Sequence, residues 1–235
     1  MQPTASKLIR WAGLAALVAG GCVVVLGLLH PPNVLSSVTT TRWTIVHSLA
    51  LAMSLFGLLG MVGLYARQVK EAGWLGLAGF LLLSFWLMLV LPFTFFEVFF
   101  LPVLATEAPT FAEGFLGILT GAASEINFGV LPALWQLSTV LLLLGGLVFG
   151  IATFRAHVLS RWAAGVLAVG CLLSPAAALL PHEIQPLVAV PIGVGLAWLG
   201  YALWSERRRE QAANPDGDGL LTGVEQPAAV VPSKG

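Results

Sequence analysis

His30, His47 and His182, with Glu97 and Glu183, are the side chains of this sequence best suited to chemistry. Imidazole and carboxylate together ligate zinc, copper or iron. They also pass protons, because histidine titrates near neutral pH. These five residues form the candidate metal set, although no H-E-x-x-H or H-x-x-E-H spacing is present, so a site needs tertiary convergence. The plainer reading stays open beside it: His30-Pro31-Pro32 and Pro181-His182-Glu183 are turn sequences at the ends of apolar stretches. Membrane haem would require two histidines facing each other across helices, and only His47 lies inside an apolar stretch. The cofactor, if any, is left unknown. Ser124-Glu125 and Ser174 lack a G-x-S-x-G context, no aspartate precedes Asp216, and there is no P-loop or G-x-G-x-x-G. No catalytic residue is therefore assigned, and the expectation leans away from an enzyme. Asp216-Gly217-Asp218-Gly219 begins like a calcium loop, but Leu220 and Pro227 fall where ligands are needed.

The elements that must position these residues are membrane helices. Hydrophobic residues make up 58% of the 235-residue chain and charged residues 9%, against roughly 25% charged in a soluble domain. The mean hydropathy is +0.92. The formal net charge is zero, which argues against a nucleic-acid partner and leaves the lipid bilayer as the expected environment. A crossing needs about 20 apolar residues. Six stretches qualify, at 8–29, 43–65, 74–96, 128–149, 162–180 and 187–204. Lys7, Arg10, Arg67, Lys70, Arg155, Arg161 and Arg207 to Arg209 all fall at one set of their ends, whereas the opposite gaps hold only Arg42 and are otherwise acidic. The positive-inside rule then puts both termini in the cytoplasm of a bacterial inner-membrane protein. The fold class expected is all-α, a polytopic six-helix transmembrane bundle.

Several details follow. The basic start and the run from Leu14 to Leu29 mimic a signal peptide, but no A-x-A-like cleavage site follows, so an uncleaved first helix is expected. Trp11, Trp43, Trp74, Trp135, Trp162 and Trp204 lie near span ends, as interfacial indoles do. Pro92 is expected to kink or end the third helix, with Phe93 to Leu104 along the outer interface. The outer loop 97–127 carries Phe111, Phe115 and Ile118 at helical spacing, which suits a short interfacial helix, with a mobile loop as the alternative. Residues 1–206 form the membrane domain, and 207–235 read as a disordered cytoplasmic tail. Cys22 and Cys171 fall within apolar stretches, where thiols pack as small hydrophobes.

The chain also reads as three pseudo-repeated helical hairpins. Trp11, Trp74 and Trp162 each open an odd span beside small residues, and Gly63-Leu64-Tyr65-Ala66-Arg67 has counterparts near Arg155 and Trp204. Duplicated hairpins suit a small transporter or permease component, which would need a polar cavity reaching the midplane. A non-catalytic membrane partner or regulatory protein, alone or as a homo-oligomer, and an outer-face metal or haem protein are the alternatives. Span-end signatures shared by any short hairpin would also produce the repeat. Small residues at Ala12, Ala16 and Gly20, at Gly57, Gly60 and Gly63, and at Gly146 and Gly150 predict close helix contacts. Gln136, Ser138 and Thr139, with Ser48 and Ser54, offer interhelical hydrogen bonds, and Pro175 and Pro191 offer breaks near one outer mouth. No charge occupies the centre of a span.

Leu29-His30-Pro31-Pro32, Trp43, His47, Gly63-Leu64-Tyr65-Ala66-Arg67-Gln68 and Gly73-Trp74-Leu75-Gly76-Leu77-Ala78-Gly79-Phe80 resemble an uncharacterised family of small multi-pass bacterial inner-membrane proteins. The likeness covers most of the first 205 residues. It implies the membrane location and carries no catalytic or binding residue with it.

Overall fold

The computed structural model describes residues 5–181 and 184–213. It is all-helical, with no strand among those residues. The long elements are α1 (Ala5–Leu29), α3 (Thr41–Phe99), α6 (Leu131–Ala156), α7 (Arg161–Leu173) and α8 (Val190–Ala213). Short helices α2 (Leu35–Val38), α4 (Leu101–Glu107) and α5 (Pro109–Thr120) lie between them. Two 3-10 segments, Ser174–Leu179 and Gln185–Ala189, link α7 to α8. Among the described residues, four helices are long and apolar enough to cross a membrane: those over Lys7–Leu29, Thr41–Phe99, Leu131–Ala156 and Gln185–Glu206.

A straight helix of 59 residues would be about 90 Å long, yet the two ends of α3 touch. Trp43 Nε1 donates to Glu97 O at 2.9 Å. Tyr65 stacks on Phe80 at 4.9 Å between ring centres. The helix is therefore a hairpin of two antiparallel arms, and the backbone shows where it turns: Gln68 (φ −124°, ψ 17°) and Gly73 (φ 53°, ψ −148°) leave helical geometry. Gly73 occupies a region that side-chain-bearing residues rarely adopt, which is why glycine serves here.

Contacts between small residues give the remaining order. Gly60 and Gly63 on the first arm face Ala16 and Ala12 of α1. Gly79 on the second arm meets Phe149 of α6, and Gly145 meets Leu82 and Leu83. Gly146 and Gly150 of α6 face Cys171 and Ala168 of α7. Gly170 and Gly195 join α7 to α8, and Gly20, Gly193 and Gly200 join α8 back to α1. Among the described residues every neighbour runs antiparallel, and the helices, with α3 counted as two arms, close into a ring. The small-residue stripes expected to mediate contact are its seams, because a missing side chain lets two backbones pack at short range.

A cavity of about 30 Å³ lies inside the ring. Val23, Met53, Trp86, Leu142, Cys171 and Leu196, one from each arm, help to line it, and no charged side chain or imidazole does. Outward-facing Leu59, Val62, Phe85, Met88 and Val169 are each more than half exposed. In water such a surface would be a liability; against hydrocarbon it is the favoured one. Trp11, Trp74 and Trp162, which open the three odd stretches, are also exposed, all at the end that carries Arg10, Arg67 and Arg161.

Three expectations change at the element ends. The helix continues through Pro92 to Phe99 instead of stopping there. Proline is tolerated within apolar helices when packing holds the helix together around it. The fifth stretch is α-helical only to Leu173, and Pro175 then lies in the first turn of a 3-10 segment. Residues 207–213, expected in the tail, continue α8; the rest of the tail lies outside the described residues.

Candidate functional site

The end of the ring opposite Arg10 and Arg67 carries an aromatic cap. Val38, Trp43, Phe93, Leu101, Ala112, Phe115 and Leu116 form a second core there, separate from the ring interior. The segment with Phe111, Phe115 and Ile118 is helical (α5), with Phe115 and Leu116 buried. Its last turn ends on Gly121 at φ 77°, a left-handed C-terminal cap. Glu107, Glu113 and Glu125 are exposed on this cap.

Beneath the cap lies the polar cluster. Thr40 starts α3 by accepting a hydrogen bond from Trp43 N at 3.2 Å, which sets the first turn. That turn aims Trp43 and His47 inward, four residues apart on one helix face. Trp43 is fully buried and stacks on His47 with ring centres 3.8 Å apart and 22° between planes. His47 is 2% exposed, and its Nδ1 lies 2.9 Å from Trp43 O. The carbonyl can only accept, so Nδ1 carries the proton and Nε2 the lone pair. Nε2 points at Glu97 Oε1, 3.8 Å away. Glu97 sits near the C-terminal end of the other arm, at 6% exposure.

His30 follows α1 and approaches from the side. Its ring centre is 5.2 Å from that of His47, with the planes 66° apart. Its Nδ1 lies 2.7 Å from Pro31 O, so this ring too presents Nε2 as a lone pair. Burial holds its pKa below the usual imidazole value; the Pro31 carbonyl opposes that shift and the Arg42 guanidinium adds to it. Arg42 itself is exposed and donates from Nε to Leu29 O at 2.9 Å.

Of the five candidate ligands, the structure brings His30, His47 and Glu97 together. His182 and Glu183 lie outside the described residues. Among the described residues, no three His, Cys, Asp or Glu side chains are grouped closely enough, as they stand, to hold a metal ion. Glu97 is buried, because the hairpin turns its carboxylate toward His47. Trp43, expected as an interfacial anchor, is instead the fixed wall of this site. Its place four residues before His47 is plain in the sequence, but its hydrogen-bond partner is 54 residues away.

The interhelical polar links also differ from expectation. Ser54 bonds Ala50 O, and Ser138 bonds Trp135 O, each within its own helix. A buried bridge that does cross runs from Gln68 Nε2 to Thr153 Oγ1, at 2.8 Å, near the opposite end. Gln68 Oε1 has no hydrogen-bond partner. Arg67 pairs with Glu206 beside it, the Nε to Oε2 distance being 3.2 Å. These links tie the hairpin turn to α6 and α8.

No family model, curated protein or solved structure matches the chain.

Proposed function

We propose that this chain is a six-crossing integral protein of the bacterial inner membrane, with both termini cytoplasmic, that works at its outer end as a regulatory or partner-binding protein. One observation carries the reading: charged and histidine side chains are absent from the lining of the central cavity and gather at the two ends of the ring. A polar solute would need hydrogen-bonding groups along its path through the bilayer. The cavity at the centre is instead small and lined by apolar side chains. The same fact weakens the reading as a small transporter or permease component. The crossing number is supported by the two arms of α3, each of about 26 residues and so about 39 Å long. It is supported too by α7 with its 3-10 extension, which together rise about 31 Å. That is close to the thickness of the hydrocarbon layer. Orientation rests on the basic end, and membership of an uncharacterised family of small inner-membrane proteins on the span-end motifs.

Single cysteines test the topology cleanly, because Cys22 and Cys171 are both buried. After both are replaced by serine, Glu125→Cys should react with a membrane-impermeant maleimide on intact cells, and Lys70→Cys only after lysis. Equal labelling of both positions on intact cells would refute the orientation. Flux of polar solutes into proteoliposomes above the empty-vesicle rate would refute the non-transporting role.

A further inference from the structure

We propose that His47, Glu97 and His30 bind one divalent transition-metal ion of the zinc class at the outer end of the ring. Both histidines are already prepared as ligands. Each gives its Nδ1 proton to a backbone carbonyl, Trp43 O for His47 and Pro31 O for His30. Metal-ligating histidines are held from behind in this way, which fixes the tautomer and leaves Nε2 free. The Trp43 ring, stacked on His47, also fixes its plane.

The spacing between His47 and Glu97 points the same way. A neutral Nε2 and an ionised carboxylate oxygen are both acceptors, so they need either a shared proton or a cation between them. Their separation of 3.8 Å is too long for a hydrogen bond. Two bonds of about 2.0–2.2 Å meeting at one zinc ion at a tetrahedral angle would set the ligand atoms about 3.4 Å apart. A shift of a few tenths of an ångström therefore suffices. Among the described residues, the carboxylate's one polar contact is this nitrogen.

His30 supplies the third ligand. Two imidazoles joined through Nε2 to one tetrahedral ion have ring centres about 5 Å apart, and the observed separation is 5.2 Å. His30 lies in the non-helical segment between α1 and α2. As they stand the three side chains do not form a closed three-ligand group, so binding has to draw them together. Two histidines and one carboxylate leave a fourth position for water, the composition of an open zinc site.

This inference rests on the outer end being the working part of the protein, and its test does not depend on the number of crossings. The full-length chain, purified in detergent and stripped with chelator, is titrated with zinc chloride by calorimetry. Cobalt(II) is then added, and its visible absorption reports a four- or five-coordinate site. One ion per chain is expected. His47→Ala, Glu97→Gln and His30→Ala should each weaken zinc binding by about tenfold or more, while His157→Asn, at the far end of the ring, should leave it unchanged. Thermal melts without metal show whether each variant is folded. If a variant unfolds, the cobalt spectrum of Glu97→Asp, which keeps the ligand and shortens its reach, still decides. A shifted spectrum supports the site, and an unshifted one overturns it. Zinc binding that survives in the folded Glu97→Gln variant, or binding of protons with no metal, overturns it too. Failure of the metal test leaves the labelling test of topology untouched, and the reverse also holds.

Discussion

Replacing Trp43 with phenylalanine removes the indole N–H that holds the two arms of α3 together at their open end. Glu97 O lies in the last turn of that helix, where carbonyls lack the usual partner four residues on. The indole donates to it at 2.9 Å, in a fully buried position. A phenyl ring in its place would leave that acceptor unsatisfied, which costs about 1–3 kcal/mol. The smaller ring adds a void worth about 1–2 kcal/mol. Their sum corresponds to a melting temperature lower by roughly 5–15 °C for a chain of this size. Trp74 provides the control, because it is 86% exposed and belongs to the same helix without such a bond. Thermal unfolding of both Trp→Phe variants in one detergent, followed by circular dichroism, makes the comparison. A large loss for Trp43→Phe beside a shift under about 2 °C for Trp74→Phe is expected. Equal shifts would show that the hairpin is not closed by this bond and that the cluster around His47 is placed wrongly.

Adjacent glycines in α1 should respond oppositely: a Cβ on Gly20 would meet Gly193 O at 2.5 Å, whereas one on Gly21 meets nothing. Gly20→Leu should therefore abolish a monodisperse peak in size-exclusion chromatography, and Gly21→Leu should elute as the parent does. Thr153→Val strands the buried Gln68 amide and should destabilise by about 1–3 kcal/mol, of which adding Gln68→Leu recovers part, since removing both partners is milder than removing one. A denaturation cycle that is strictly additive would refute that link. His30 has a pKa held below its ordinary value of 6.5 by burial, so the unfolded chain takes up a proton that the folded chain resists. Its contribution to stability is complete above about pH 6.5 and is lost as the pH falls below it. The fall in melting temperature between pH 7.5 and 5.5 should be smaller in His30→Gln than in the parent, and an equal fall would count against the burial of His30.

Local features of this chain were legible because they depend on near neighbours. The apolar stretches, the basic ends, the stripes of small residues and the capacity for a helix after Pro109 all follow from residues within a few turns of one another. Helix ends at prolines were less so. Pro92 lacks an N–H whatever surrounds it, but whether a helix survives it depends on what packs alongside. Pro175 shows the other outcome, with the α-helix passing into 3-10 geometry.

By itself, the sequence determined that the chain is helical and apolar, that its charges fall at the helix ends, and which histidines and glutamates could matter. These are consequences of hydropathy and spacing, and they need no knowledge of partners. Only the tertiary structure decided that the helices close into a ring, that the ring's centre is apolar, and that Glu97 faces His47 from the far arm of the hairpin. The hairpin register sets that last contact. It arises from where the chain turns, near Gly73, and from which glycines let neighbouring backbones meet, so it belongs to the packed ring and not to any one segment.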